Sequence, residues 1–135
     1  MKTIIEIINI PSNIFDNVRK SYTIKDNLDI NIGESLIIQD YIQRRVYLDC
    51  SIFNNENISH AYTYEKLGNK IDLEFDVKDI QHNIYIEDYD SDNITEHIKY
   101  IKVEFTKKTI DIIKQLVEID KNVSQKSIDF GDNQH

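Results

Sequence analysis

The residues able to do chemistry are few and scattered. The four histidines are His60, His82, His97 and His135. None forms a His-x-x-x-His pair or joins a Cys-x-x-Cys pair, the spacings that offer two ligands from one stretch of chain. No metal and no cofactor is therefore expected. Cys50 is the single cysteine and shares one face of an expected strand with Leu48 and Ile52, which predicts a buried, inert thiol rather than a nucleophile. The three glycines, Gly33, Gly68 and Gly131, cannot build a phosphate-cradling loop, and there is no Gly-x-Ser-x-Gly elbow. One acid–base set can be written, His60 and His82 with Lys70 or Lys78, suited to cleaving a phosphoester by proton transfer. Any chain with four histidines offers a similar set.

Carboxylates are more concentrated. Residues 85–96 (YIEDYDSDNITE) hold Glu87, Asp88, Asp90, Asp92 and Glu96 with Tyr85 and Tyr89, and contain no lysine or arginine. From Asp88 the acids alternate as in a calcium loop. The sixth position is Asn93 where that loop needs glycine, however, and the twelfth is Lys99 where it needs a bidentate glutamate. As a surface, the same residues combine acids that steer a cationic partner with tyrosines that anchor it. Tyr85, Glu87, Asp88, Tyr89, Asp90, Asp92 and Glu96 are thus the expected partner-binding residues, set against a solvated hairpin tip as the plainer reading.

The net charge of −8 disfavours phosphate backbones unless cations cluster somewhere. The best run, Lys99-Tyr100-Ile101-Lys102 followed by Lys107-Lys108, is thin, so no nucleic-acid partner is expected. No apolar stretch approaches membrane-spanning length, and the first residues break their apolar run at Glu6 without a small-residue cleavage site. With a lone cysteine, this predicts a cytoplasmic protein without a membrane partner. The expected function is a non-enzymatic protein-binding domain with a basic protein partner. An acidic stoichiometric inhibitor, such as an immunity protein or antitoxin neutralising a toxin nuclease, has this chemistry. The alternatives are a small enzyme using His60 and His82, or a small-molecule-binding module.

The elements that must position these residues follow from hydrophobic periodicity. Residues 2–10 are apolar on both alternating sides, as an interior strand requires. Pro11 ends that run, and Ser12 or Asn13 can cap a short helix with Ile14, Phe15 and Val18 on one side. Leu28, Ile30 and Ile32 alternate with polar residues up to Gly33 and predict a half-buried strand. Residues 35–45 fit a helix, or a strand with a bulge near Asp40. Val46, Leu48, Cys50 and Ile52 then alternate with Tyr47, Asp49, Ser51 and Phe53, and this clear strand favours the latter. Residues 58–66 and 71–77, joined by Leu67-Gly68-Asn69-Lys70, predict a hairpin. Residues 84–86 and 98–105 predict two more strands around a polar loop, 87–93.

Thr109 can cap a helix running to about Lys121, with Ile110, Ile113, Leu116 and Val117 on one stripe. Its end charges oppose the helix dipole, so packing must hold it. The 135 residues then form one α+β domain over 1–121 and a loose tail over 122–135. Its sheet is expected to be largely antiparallel with about five to seven strands, a short helix near the N-terminus and a C-terminal helix packed on it.

Overall fold

The computed structural model of the protein describes residues 1–48, 61–89 and 92–132. Among these are five strands, β1 (Lys2–Ile7), β2 (Ser21–Ile24), β3 (Ser35–Tyr47), β4 (Tyr62–Tyr89) and β5 (Asp92–Phe105), and one helix, α1 (Lys107–Asp132). The strands form one sheet in the order β2-β1-β5-β4-β3. Every junction is antiparallel except that between β1 and β5. The α+β class and the largely antiparallel sheet therefore stand, as does the interior place of β1. No helix among the described residues is long and apolar enough to cross a membrane.

The core lies on one side of the sheet. β1 contributes Ile5 and Ile7, β5 contributes Ile101, Val103 and Phe105, and β4 contributes Leu73, Phe75 and Val77. Phe75 and Phe105 face each other in register with ring centroids 4.7 Å apart. The helical stripe covers them through Ile113 and Val117, with Ile110 and Leu116 partly buried, as its spacing predicts.

The helix starts one turn earlier than expected. Thr106, not Thr109, is the cap, its Oγ1 accepting the N–H of Thr109 at 3.3 Å. β5 stops pairing at Phe105, which leaves the Glu74 backbone on β4 without a strand partner on its β5 side. The helix start takes its place, since Thr106 N donates to Glu74 O at 3.0 Å and Glu74 N donates to Thr109 Oγ1 at 3.1 Å. No acid sits in the first turn and no base in the last. This stitch and the stripe hold the helix despite its charges. Its backbone continues past Lys121 to Asp132.

Four further expectations are corrected. The N-terminal helix is a six-residue 3-10 segment, Ser12–Asn17, without a side-chain cap bond; Ile14 and Val18 are buried but Phe15 is exposed. The predicted hairpin at Gly68-Asn69 does not exist, because β4 runs through those residues as a single strand of 28. Gly68 adopts φ 63°, and Gly68, Asn69 and Lys70 together face Tyr41 alone. A glycine suited to a turn makes a bulge instead. Leu28 to Ile32 form no strand, although Ile30 is buried. Lys99 Nζ donates to Leu28 O at 2.7 Å, and Thr3 Oγ1 donates to Asp26 O at 2.8 Å, fastening that segment to the sheet. Finally, most of the polar loop is strand, up to Tyr89 and again from Asp92. Residues 35–47 are a strand, and the Gly68 bulge lies opposite the predicted position near Asp40.

The two edge strands meet through side chains. Tyr22 on β2 donates its hydroxyl to Asp40 Oδ2 on β3 at 2.6 Å. A flat five-stranded sheet would hold its edges roughly 19 Å apart, so the sheet coils around its core. Arg19 reaches the same carboxylate at 3.0 Å and Tyr41 N donates to Oδ1 at 2.7 Å. Burial, and then the bond to Asp40, push the Tyr22 phenol well above its ordinary value.

Two tests follow from this packing. Phe75→Ala should cost about 3–5 kcal/mol by urea melt, whereas Glu74→Ala, on the other side of β4, should stay within about 0.5 kcal/mol. Equal costs would place the wrong side of β4 in the core. Tyr22→Phe should cost about 1–2 kcal/mol near neutrality. The phenol's folded pKa lies above the unfolded value near 10, so this contribution is complete below that pH and lost as pH rises through the folded value. The gap between wild type and variant should therefore be constant up to about pH 10 and shrink above it. A gap independent of pH up to strong alkali would contradict the Tyr22–Asp40 contact.

Candidate functional site

β4 and β5 outrun their neighbours. β3 begins pairing with β4 at Ser35↔Asp76, and β1 reaches β5 only as far as Lys2↔Ile98. The β4–β5 ladder continues to Tyr89↔Asp92. Beyond the rung Asn83↔Ile98 the two strands thus pair only with each other, as a two-stranded arm. β-branched residues suit its extended backbone, but no layer covers them. Ile84 is 59% exposed, Ile86 67% and Tyr85 45%. Lys78 is an extra residue between the pairs Val77↔Val103 and Asp79↔Lys102. This one-residue bulge reverses the side that alternate residues occupy, so Phe75 and Val77 face the core before it and Ile80 after it.

The arm carries most of the expected partner-binding residues. Tyr85 and Glu96 are directly paired across the ladder, and both are exposed. Glu87, Asp88, Tyr89 and Asp92 occupy the outer rungs, Glu87 opposite Ile94, Asp88 opposite Asn93 and Tyr89 opposite Asp92. Asp90 lies outside the described residues. The Tyr85 hydroxyl is 3.5 Å from that of Tyr100 and takes a bond of the same length from Asn83 Nδ2. These bonds, Tyr100 first, lower the Tyr85 phenol, while the Tyr85 bond raises Tyr100. At the base of the arm an open groove of 720 Å³ runs between Met1, Lys2, Thr23 and Lys25 on one side and Thr95, Glu96 and His97 on the other.

The acid–base set is not brought together by the described residues. Lys70 and His82 stand twelve positions apart on one strand, roughly 35 Å at the usual rise. Lys78 pairs with Glu104 at 3.8 Å. His82 is exposed opposite Lys99, whose ammonium is held by Leu28 O and Asn27 Oδ1. His60 and His135 lie outside the described residues, as does Cys50. Among the described residues no group of three or more His, Cys, Asp or Glu could hold a metal ion.

A second concentration of side chains went unanticipated. At the opposite end of β4, Tyr47 and Tyr62 are paired in register, as are Arg45 and Tyr64. The Tyr47 and Tyr62 rings meet edge-on at 6.5 Å, and those of Tyr62 and Tyr64 at 5.6 Å. The Arg45 guanidinium stands 5.1 Å from the Tyr47 ring centre and 5.4 Å from that of Tyr62. One residue-level signal was present, the alternation of Tyr62, Tyr64 and Lys66. The turn predicted at Gly68 hid the strand that aligns them with Arg45 and Tyr47.

Compared with known protein families, curated proteins and solved structures, the chain matches none.

Proposed function

We propose that the protein is a non-enzymatic protein-binding domain that meets a basic partner through the β4/β5 arm. The observation that carries this reading is the exposed Ile84-Tyr85-Ile86 on a two-stranded projection whose outer sequence holds five acids and no cation. Apolar and aromatic side chains gain free energy only when a partner covers them. Acids around them raise the encounter rate with a cationic surface. In its sharpest form this is a stoichiometric inhibitor, such as an immunity protein or antitoxin that occupies the cationic active site of a toxin nuclease. A β-arm suits that role because it can enter a cleft while the coiled sheet stays outside.

Affinity capture from the native host supplies the partner, and surface plasmon resonance at several ionic strengths tests the site. Changing Asp88, Asp90 and Asp92 together to Asn should lower the association rate about tenfold at low salt and flatten its salt dependence. Tyr85→Ala should act mainly on dissociation, raising that rate about tenfold or more if the ring is a desolvated anchor. Wild-type kinetics for the triple variant at low salt would reduce the arm to a solvated projection and move the interface elsewhere.

A further inference from the structure

We propose that the outer face of the β3/β4 ribbon is a second docking surface, built for an acidic protein segment. On a chain of net charge −8, this stretch has the opposite sign. Arg45, Lys66 and Lys70 stand here among Tyr41, Tyr47, Tyr62 and Tyr64, and Asp16 alone of the described carboxylates pairs with one of them, reaching Arg45 at 3.4 Å. Glu65 belongs to the other face, where Arg44 holds it at 2.6 Å and binds Asp120 at 3.0 Å. Past the Gly68 bulge the same strand turns acidic, with Asp72, Glu74 and Asp76. The cationic stretch is therefore bounded on the ribbon itself.

Three of its four tyrosines are exposed, and Tyr41 is half-buried. Tyr47 is 64% exposed, Tyr62 48% and Tyr64 42%, with Lys66 and Lys70 exposed beside them. Tyrosine and arginine are both enriched among the residues that dominate protein interfaces. The ring geometry selects the class of partner. Arg45 stands over Tyr47 and Tyr62, and Lys66 and Lys70 stand over Tyr41 at 4.5 and 5.8 Å. Nucleic-acid bases bind by stacking on open ring faces, and here cations occupy ring faces and neighbouring rings meet edge-on. Ring edges, hydroxyls and ammonium N–H groups remain for a partner. They match carboxylates interspersed with apolar side chains. A phosphate strand would also extend its dense charge beyond the patch, over acidic surface.

The surface is independent of the arm. Tyr64 and Tyr85 lie on the same strand, roughly 60–70 Å apart in extended chain, so both can be occupied at once. The protein would then bridge a cationic partner and an acidic one.

The test uses the full chain and fluorescence anisotropy. The probe is a labelled twelve-residue peptide of Glu and Asp with two Phe. Its Gln/Asn counterpart and a twelve-nucleotide thymidine strand are run beside it. The acidic peptide should bind, weaken several-fold from low to physiological salt, and lose at least tenfold on Lys66→Glu with Lys70→Glu and on Tyr62→Ala. A control pair on the helix, Lys114→Glu with Lys121→Glu, should leave binding within twofold, and thermal melts should show every variant folded. Tighter binding of the thymidine strand than of the acidic peptide would overturn the proposal in favour of single-stranded nucleic acid. No binding of the acidic peptide, equal binding of its neutral counterpart, or equal losses in the control pair would overturn it outright.

Discussion

A strand of 28 residues accumulates more right-handed twist than two neighbours on a packed core can follow. β4 meets this constraint with two interruptions of different kinds. Opposite Tyr41 it inserts Gly68, Asn69 and Lys70, an excess of two that leaves the alternation of sides intact, so Leu67 and Ile71 both pack towards the core cluster or the helix. At Lys78 it inserts one residue and reverses the alternation. Between the two lie Leu73, Phe75 and Val77, the most buried stretch of the strand. The bulges thus frame the segment that carries the core and let the two ends of β4 project from it.

The rest of the molecule is arranged around that central segment. β5 and β3 flank it, β1 pairs parallel with β5, and α1 is stitched to Glu74 where β5 ends. Tyr22 and Arg19 draw the β2 side onto Asp40 across the core. Among the described residues no buried side-chain nitrogen or oxygen lacks a partner, which is what a coiled sheet with polar groups at its closure needs. The two surfaces proposed for partners lie on the projecting ends, where apolar and aromatic groups stay exposed. They carry opposite charge, acidic on the arm and cationic on the β3/β4 ribbon, and one continuous strand fixes their separation.

Much of this was legible in the sequence. The alternation of 71–77 and the stripe from Ile110 to Val117 report burial directly, and burial is what periodicity encodes; the two-sided apolar run of β1 marks its interior place in the sheet, although only Thr3, Ile5 and Ile7 of that strand are buried. Three features were not. Gly68-Asn69 satisfies the positive-φ demand of a turn and of a bulge alike, and only long-range pairing with β3 decides between them. Leu28, Ile30 and Ile32 alternate as a strand would, yet Thr3 and Lys99 hold their segment as irregular chain. The continuation of β4 past Val77 was hidden because Lys78 shifts the phase of the pattern. The acidic half of the candidate site was readable as composition, since its residues are contiguous. The tyrosine–arginine half joins residues of β3 and β4, which the misplaced turn paired elsewhere.

The continuity of β4 is the claim on which the core, the arm and the separation of the two surfaces depend. Nitroxide labels at Thr63→Cys and Glu74→Cys, with Cys50→Ser removing the native thiol, test it by pulsed dipolar spectroscopy. An unbroken strand places the two backbones roughly 30 Å apart after allowing for the bulge. A hairpin turning at Gly68-Asn69 would pair the two positions and bring them within about 6 Å. A distribution centred near 30 Å is the result expected here. A dominant population below about 15 Å would contradict it.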